Sequence, residues 1–237
     1  MARRKKSLGA RVATAVIIAL VVVGAALGAA EWSARHESPV VISPTASEDA
    51  ARLDRLAVRA YDPAAPAYDR SQFGQAWSDD VSVEGGHNGC DTRNDILARD
   101  LTGVTFKPGT RNCVVLSGHL SDPYTGQELD FQRGQGTSEL VQIDHVVPLA
   151  DAWYAGASQW SVDKRQDFAN DPSNLQATTK EANQAKKAKT ADEWLPSNEA
   201  YECTYARRII AVKDGYGLAV TQGEKQALRD ALATCGE

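Results

Sequence analysis

An excess of positive charge is absent from this sequence, in which 26 lysine and arginine residues face 31 aspartate and glutamate residues and the formal net charge is −5. Such a chain does not attract polyanions through its overall field, so any contact with nucleic acid must come from a local basic patch. The HExxH motif of zinc peptidases is also absent, and no serine or cysteine stands in a convincing nucleophile elbow. These absences exclude a generic polyanion binder and argue against a secreted peptidase.

The most prominent apolar run lies at the N-terminus, where residues 12–30 follow basic residues at positions 3–6 and 11. This arrangement is typical of a secretory signal, although the run is also long enough to span a bilayer. We expect residues 1–36 to be a signal peptide or an N-terminal membrane anchor, with cleavage slightly favoured. The remainder is then secreted or held at the extracellular face, and it touches a membrane only through an uncleaved anchor. Residues 37–50 indicate a flexible linker, and residues 51–237 one folded, monomeric domain.

Cysteine is scarce: the sequence has four, at positions too widely spaced for a CxxC metal knuckle. Since an exported chain meets an oxidising environment, we expect two disulfides, and three connectivities are possible. We favour Cys90 with Cys113 and Cys203 with Cys235, because each pair brackets a compact local unit. Each bridge would stabilise the fold by roughly 3–4 kcal/mol in the loop-entropy model.

Apolar periodicity predicts helices over residues 51–58, 68–77, 91–101, 201–212 and 225–233, and a helical insert over residues 149–168. Asp91 and Thr221 are expected to be N-caps. Strand-like runs at residues 113–117 and 128–131 flank a turn with proline and glycine, which predicts a hairpin that pairs near residue 144. This mixture of helices and short strands indicates an α+β fold.

The stretch from 141 to 189 carries the chemistry. Residues 139–147 predict a strand that ends at Pro148, residues 174–178 a second strand, and residues 179–189 a helix capped by Thr178. These elements carry Asp144-His145, Asn174 and Asn183, a set of carboxylate, imidazole and amide groups. On the helix, Lys186 and Lys187 follow Asn183 by three and four residues, so all three are expected on one face.

The pattern DHxxPL…NL…N…K resembles the HNH (ββα-metal) nucleases. The blocks FGQAW, GCDTRNDIL, VQIDHVVPLADAW, FANDPSNLQA and NQAKK are similar to a secreted bacterial HNH group related to the C-terminal domain of the GmrSD restriction enzymes. The similarity runs from about residue 53 to 235. It implies a ββα-metal (HNH) core with a small antiparallel hairpin, surrounded by helices.

The resemblance also implies site roles. His145 is expected to be the general base, because histidine accepts a proton near neutral pH, and Asn174 to orient the loop that follows it. Asp144 and Asn183 would hold Mg²⁺, with Mn²⁺ or another divalent cation as the alternative, since their oxygens are hard ligands. Arg93 is expected to face the substrate on the resemblance alone; its segment otherwise indicates a capped first helical turn.

One feature of the Asp144-His145 pair conflicts with a regular strand. Neighbouring strand residues face opposite sides, so both side chains reach one phosphate only if the backbone leaves the strand there, which Pro148 favours. Taken alone, the pair is more typical of a surface acid beside a core histidine. Asn174, Asn183, the capped helix and Lys186 in register reverse that interpretation.

A local basic patch is present despite the acidic total: Lys180, Lys186, Lys187 and Lys189 fall within ten residues. A solvated helix face explains this charge equally well, but the position beside Asn183 favours contact of Lys186 and Lys187 with phosphates. The predicted function is therefore an exported, metal-dependent endonuclease that acts on nucleic acid, DNA rather than RNA. The alternative is a non-catalytic module of the same fold that binds nucleic acid or the cell envelope.

Overall fold

The computed structural model describes residues 46–60, 62 and 64–235. Within these residues the chain forms seven α-helices and two small antiparallel sheets, which confirms the α+β class. The strands are β1 (Thr102–Phe106), β2 (Val115–Ser121), β3 (Glu128–Gln132), β4 (Val141–His145) and β5 (Leu175–Thr179). The helices are α1 (Ala46–Arg55), α2 (Thr92–Asp100), α3 (Leu149–Tyr154), α4 (Val162–Asn170), α5 (Lys180–Lys186), α6 (Glu199–Tyr216) and α7 (Gln222–Leu232).

The predicted signal or anchor and most of the predicted linker lie outside the described residues. Helix α1 begins at Ala46, so the end of the segment predicted as linker is helical. Along the described part of the chain, no helix combines the length and apolar character that crossing a membrane requires.

The predicted hairpin is present as β2 and β3, but it does not join the strand that carries Asp144. Its partner is β1, and the larger sheet has the order β1-β2-β3. Strand β1 escaped prediction because it is largely exposed, irregular in register and contains Gly103 with a φ of +59°. Without an alternating apolar pattern, a short edge strand gives no periodic signal.

The smaller sheet consists of β4 and β5 alone, paired from Val141 opposite Thr179 to His145 opposite Leu175. One face of this sheet packs with α2 and the larger sheet into an apolar core that contains Ile143 and Ala177. A second core lies among α1, α3, α4, α6 and α7 and receives the residues just after β4, Val146 and Val147. The smaller sheet is therefore held between two cores, which fixes the position of His145.

Of the predicted helices, the one over residues 68–77 is wrong. Only a 3-10 turn forms there, Arg70–Phe73, capped by the Asp69 carboxylate, which accepts a hydrogen bond from the Ser71 amide. Gly74 ends this turn with a φ of +76°, and Trp77 also has a positive φ, of 58°. Left-handed backbone at both positions prevents a continuous helix. The remaining predicted helices are present, with shifted ends, and Asp91 and Thr221 are N-caps as expected.

Both favoured cysteine pairs form disulfides. Cys90 joins Cys113 with a Cα–Cα distance of 5.0 Å, and Cys203 joins Cys235 with a distance of 5.1 Å. The first ties the loop before α2 to the loop before β2, and the second ties α6 to the segment after α7.

A buried ion network joins three helices of the second core. The Lys213 ammonium on α6 is fully buried and lies 2.7 Å from an Asp151 carboxylate oxygen on α3 and 2.6 Å from a Glu224 carboxylate oxygen on α7. Arg59 donates a further hydrogen bond to Asp151, at 2.8 Å. Because breaking a buried pair leaves an uncompensated charge, this network is expected to lock the helical packing.

Candidate functional site

Strands β4 and β5 and helix α5 form a continuous strand, strand, helix unit. The N-cap of α5 is Thr179 rather than Thr178, and the Thr179 hydroxyl accepts from the Ala182 amide. Both threonine hydroxyls also donate to the carboxylate of Asp122, which is almost fully buried. This carboxylate from the hairpin turn fixes the junction where β5 becomes α5. The helix ends at Lys186, short of the predicted residue 189.

Asn174 holds the backbone that follows His145. The Asn174 carbonyl accepts from the Val146 amide, and its side-chain oxygen accepts from the Val147 amide, both at 2.8 Å. The side-chain nitrogen donates to the Val147 carbonyl at 3.2 Å. Since Asn174 is completely buried, these bonds are not shared with solvent, and they bend the chain out of the strand just past His145.

The His145 imidazole has a defined tautomer. Its Nε2 atom lies 2.9 Å from the carbonyl oxygen of Ala169, which can only accept, so Nε2 carries a proton. In the neutral ring, Nδ1 is then the acceptor. The indole of Trp77 stacks on the ring with centroids 6.1 Å apart and an interplanar angle of 13°. Burial, with a smaller contribution from the positive charges of Arg70 and Lys186, lowers the pKa of His145 to about 3, so the ring is neutral at physiological pH.

The Asp144 carboxylate is buried beside His145. The Tyr124 hydroxyl donates to Oδ2 at 2.8 Å, and the Lys186 ammonium lies 3.0 Å from Oδ2 and 3.1 Å from Oδ1. Burial raises the pKa of Asp144, and Lys186 opposes that effect. The carboxylate is thus paired with a cation within the protein, and Oδ1 keeps one lone pair beyond its bond to Lys186.

The prediction that Lys186 contacts phosphates does not agree with its position. Its side chain is fully buried, and its ammonium also donates to the His145 carbonyl at 2.7 Å. Lys186 and Asn183 share one face of α5, as their spacing predicts. That face packs against β4, so the Lys186 side chain points into the protein and not toward solvent. Lys187, by contrast, is exposed.

Arg93, which the resemblance predicts to face the substrate, contacts the protein backbone instead through one of its guanidinium nitrogens. Its guanidinium donates to the carbonyls of Ser138 and Val141, at 2.9 and 2.8 Å, and so secures the start of β4. Burial lowers the pKa of Arg93. In the structure Arg93 is therefore a support for the strand.

Asp144, His145 and Asn183 line one open cleft of about 460 Å³, together with Lys187. The Asn183 amide nitrogen donates to the Gln142 side chain at 2.7 Å, which leaves the amide oxygen as an acceptor. A smaller cavity of about 20 Å³ lies against the other side of His145 and is lined by Trp77 and Ala169. The imidazole thus stands between the two spaces.

The donor set in this cleft fits a hard divalent cation. Asp144 offers a carboxylate oxygen with a free lone pair, and Asn183 offers an amide oxygen with no hydrogen bond among the described residues. No group of three or more histidine, cysteine or acidic residues that could hold a metal occurs in the described part of the chain. Two oxygen ligands are compatible with Mg²⁺, which needs few protein ligands and keeps several waters.

Sequence reasoning missed four contributors to the site. Tyr124 lies in a turn of polar composition, and its burial depends on aromatic neighbours from distant segments, Trp194 and Tyr205. The carbonyl of Ala169 is a backbone group and has no signature in the sequence. Trp77 and Arg70 both lie in the segment predicted as a helix over residues 68–77, and neither was given a role in the site, although the FGQAW block that ends at Trp77 is part of the resemblance.

Fold and site together define the class: a small α+β domain with an open cleft that contains an imidazole, a carboxylate and an amide. The chain belongs to the family described as GmrSD restriction endonucleases, C-terminal domain, whose model matches residues 91–231. It is also 39% identical over 194 residues to an "Uncharacterized secreted protein" of Arthroderma benhamiae, a match that covers 81% of this chain and 87% of the relative. No solved structure matches.

Proposed function

We propose that this protein is an exported endonuclease of the HNH type, which hydrolyses phosphodiester bonds of nucleic acid, with DNA as the preferred substrate. The observation that carries the proposal is the fixed tautomer of His145 in a cleft shared with Asp144 and Asn183. Family membership supports a nuclease-like role. The relative's name supports export, in keeping with the expected signal or anchor in residues 1–36.

In the proposed reaction, Nδ1 of His145 takes a proton from the attacking water. The Ala169 carbonyl holds the opposite Nε2–H, and Trp77 restrains the plane of the ring, so the base is oriented before substrate binds. Orientation of this kind contributes to the rate enhancement, because the base and the water need not lose further orientational freedom when the proton is transferred. Asn174 acts indirectly, by holding the backbone after His145.

Asp144 and Asn183 would hold the metal, with Mg²⁺ as the preferred ion and Mn²⁺ as the alternative. A divalent cation supplies charge neutralisation at the phosphate and at the leaving oxygen. Lys186 fixes the Asp144 carboxylate, and Tyr124 donates to it from the opposite side. Lys187, exposed at the edge of the cleft, is proposed to contact a neighbouring phosphate.

The proposal is tested by incubating the purified protein with supercoiled plasmid, linear duplex and single-stranded RNA, each with Mg²⁺ and with EDTA. We expect nicking and linearisation of plasmid in Mg²⁺, slower loss of RNA, and no cleavage in EDTA. Cleavage that continues in EDTA would remove the metal from the mechanism. Intact substrates under every divalent ion would favour the non-catalytic binding module.

A further inference from the structure

The arginines in the described part of the chain mostly serve the fold: Arg93, Arg165 and Arg208, for example, donate to backbone carbonyls. Arg70 differs from them. Its side chain is exposed and makes no hydrogen bond or ion pair within the described residues. It nevertheless lines both the open cleft and the smaller cavity on the other side of His145. Because its donors are not used within the described residues, Arg70 is available to bind an acceptor from outside the protein beside the proposed base.

The backbone that carries Arg70 is well anchored. Arg70 opens the 3-10 turn that Asp69 caps, and Phe73 at the end of that turn is almost fully buried. The Phe73 ring packs against Trp153 and Phe168, each with a centroid distance of 6.2 Å. The guanidinium therefore extends from a fixed point, which limits the conformational entropy lost when it binds a ligand.

The charges that face the cleft favour an anion. Lys186 neutralises Asp144 inside the protein, so the cationic groups left at the cleft are Arg70 and Lys187. They come from different elements, the 3-10 turn and the end of α5. The cleft is thus locally positive although the whole chain has a net charge of −5. The effect of Arg70 on the pKa of His145 agrees with this closeness.

We propose that Arg70 is a catalytic residue that binds the scissile phosphate next to His145. This inference rests on the proposed nuclease function. A guanidinium matches the planar pair of phosphate oxygens through two parallel hydrogen bonds, which a lysine ammonium does not reproduce. Arg70 would hold the phosphate while Nδ1 of His145 takes the proton of the attacking water. Arg70 precedes the residues matched by the family model, 91–231, so the site would extend beyond the matched region.

The test compares Arg70→Gln and Arg70→Lys with a matched control, Arg111→Gln. Arg111 is also exposed, but it does not line the cleft. Cleavage of plasmid is measured in Mg²⁺, and binding of a short fluorescein-labelled DNA duplex is measured by anisotropy in EDTA over a range of salt concentrations. We expect Arg70→Gln to reduce kcat/KM by roughly 10²-fold, in the range found for loss of one transition-state donor. Its log–log salt slope should flatten by about 0.9, the value for one phosphate contact on duplex DNA.

Arg70→Lys should recover the salt slope but little of the rate, and Arg111→Gln should behave as wild type. Equal cleavage and binding by wild type and Arg70→Gln would overturn the Arg70 assignment and leave the nuclease proposal intact. If wild type does not cleave, but binds duplex with an affinity that falls in Arg70→Gln and not in Arg111→Gln, the phosphate contact stands and the nuclease proposal fails. Absence of any duplex binding by wild type would overturn the Arg70 assignment.

Discussion

For Lys186, the sequence and the structure predict different effects of the same substitution. Seen only as a basic helix residue beside Asn183, it should bind phosphate. In the structure its side chain is 0% exposed and that of its partner Asp144 is 4% exposed. Replacement by methionine keeps the length and apolar stem but leaves the Asp144 carboxylate buried with one neutral donor, Tyr124. The His145 carbonyl also loses a hydrogen bond.

The expected cost follows from that burial. Removing one partner of a buried ion pair destabilises a protein by about 3–5 kcal/mol. In a domain of this size the corresponding loss is roughly 6–20 °C in Tm. Urea unfolding followed by circular dichroism measures the free energy directly. Lys187→Met is the matched control, because Lys187 is adjacent, exposed and expected to change stability by less than about 0.5 kcal/mol.

Binding of duplex DNA, measured over a range of salt concentrations at which each variant is folded, is a second test that distinguishes the role of Lys186 from that of Lys187. Lys187→Met should flatten the log–log slope by about 0.9, and Lys186→Met should leave it unchanged. The double variant Lys186→Met/Asp144→Asn should recover part of the lost stability, since the unpaired charge is removed. Wild-type stability of Lys186→Met, together with a flatter salt slope, would refute the buried pair and restore the surface assignment.

Three further predictions concern the frame around the site. Lys213→Met, which leaves two buried carboxylates without their shared cation, should destabilise by about 3–5 kcal/mol in urea unfolding; an unchanged midpoint would contradict the network. Replacing Cys203 and Cys235 by serine opens a loop with a sequence separation of 32 and should lower the free energy of unfolding by about 3.5–4 kcal/mol. A decrease of less than about 1 kcal/mol would show that this disulfide adds little stability. The exposed His119 is hydrogen-bonded to the carboxylates of Asp130 and Glu128, and both raise the pKa of His119, Asp130 more than Glu128. Its stabilising effect should therefore be complete below about pH 6.5 and be lost as pH rises through the higher folded pKa; NMR titration should show a lower pKa in Asp130→Asn.

Much of the site could be predicted from the sequence because its chemistry is local. The Asp144-His145 pair and Asn174 lie at the ends of strands with clear apolar patterns, and the capping threonine marks the start of the helix that carries Asn183. Their convergence follows from one antiparallel pairing and one short connection. Local rules of strand, cap and helix are sufficient at these positions.

The rest depends on long-range packing that no periodicity encodes. The packing of α5 on the sheet decides whether the face that bears Lys186 contacts solvent or β4. The 3.6-residue spacing is the same in both cases, so the sequence pattern does not distinguish them. Tyr124 reaches Asp144 only because the hairpin turn is enclosed by aromatic side chains. Trp77 reaches His145 only because its backbone adopts a positive φ, which breaks the helix that the pattern of apolar residues favoured.

The most direct measurement of the central claim is the single-turnover rate of plasmid cleavage in Mg²⁺ by His145→Ala, with His119→Ala as the control for loss of a histidine elsewhere. Circular dichroism spectra must first show that both variants are folded. If Nδ1 of His145 is the general base, its removal should reduce the rate by roughly 10²–10⁴-fold, and His119→Ala should cleave at the wild-type rate. A folded His145→Ala protein that cleaves as fast as wild type would contradict the account.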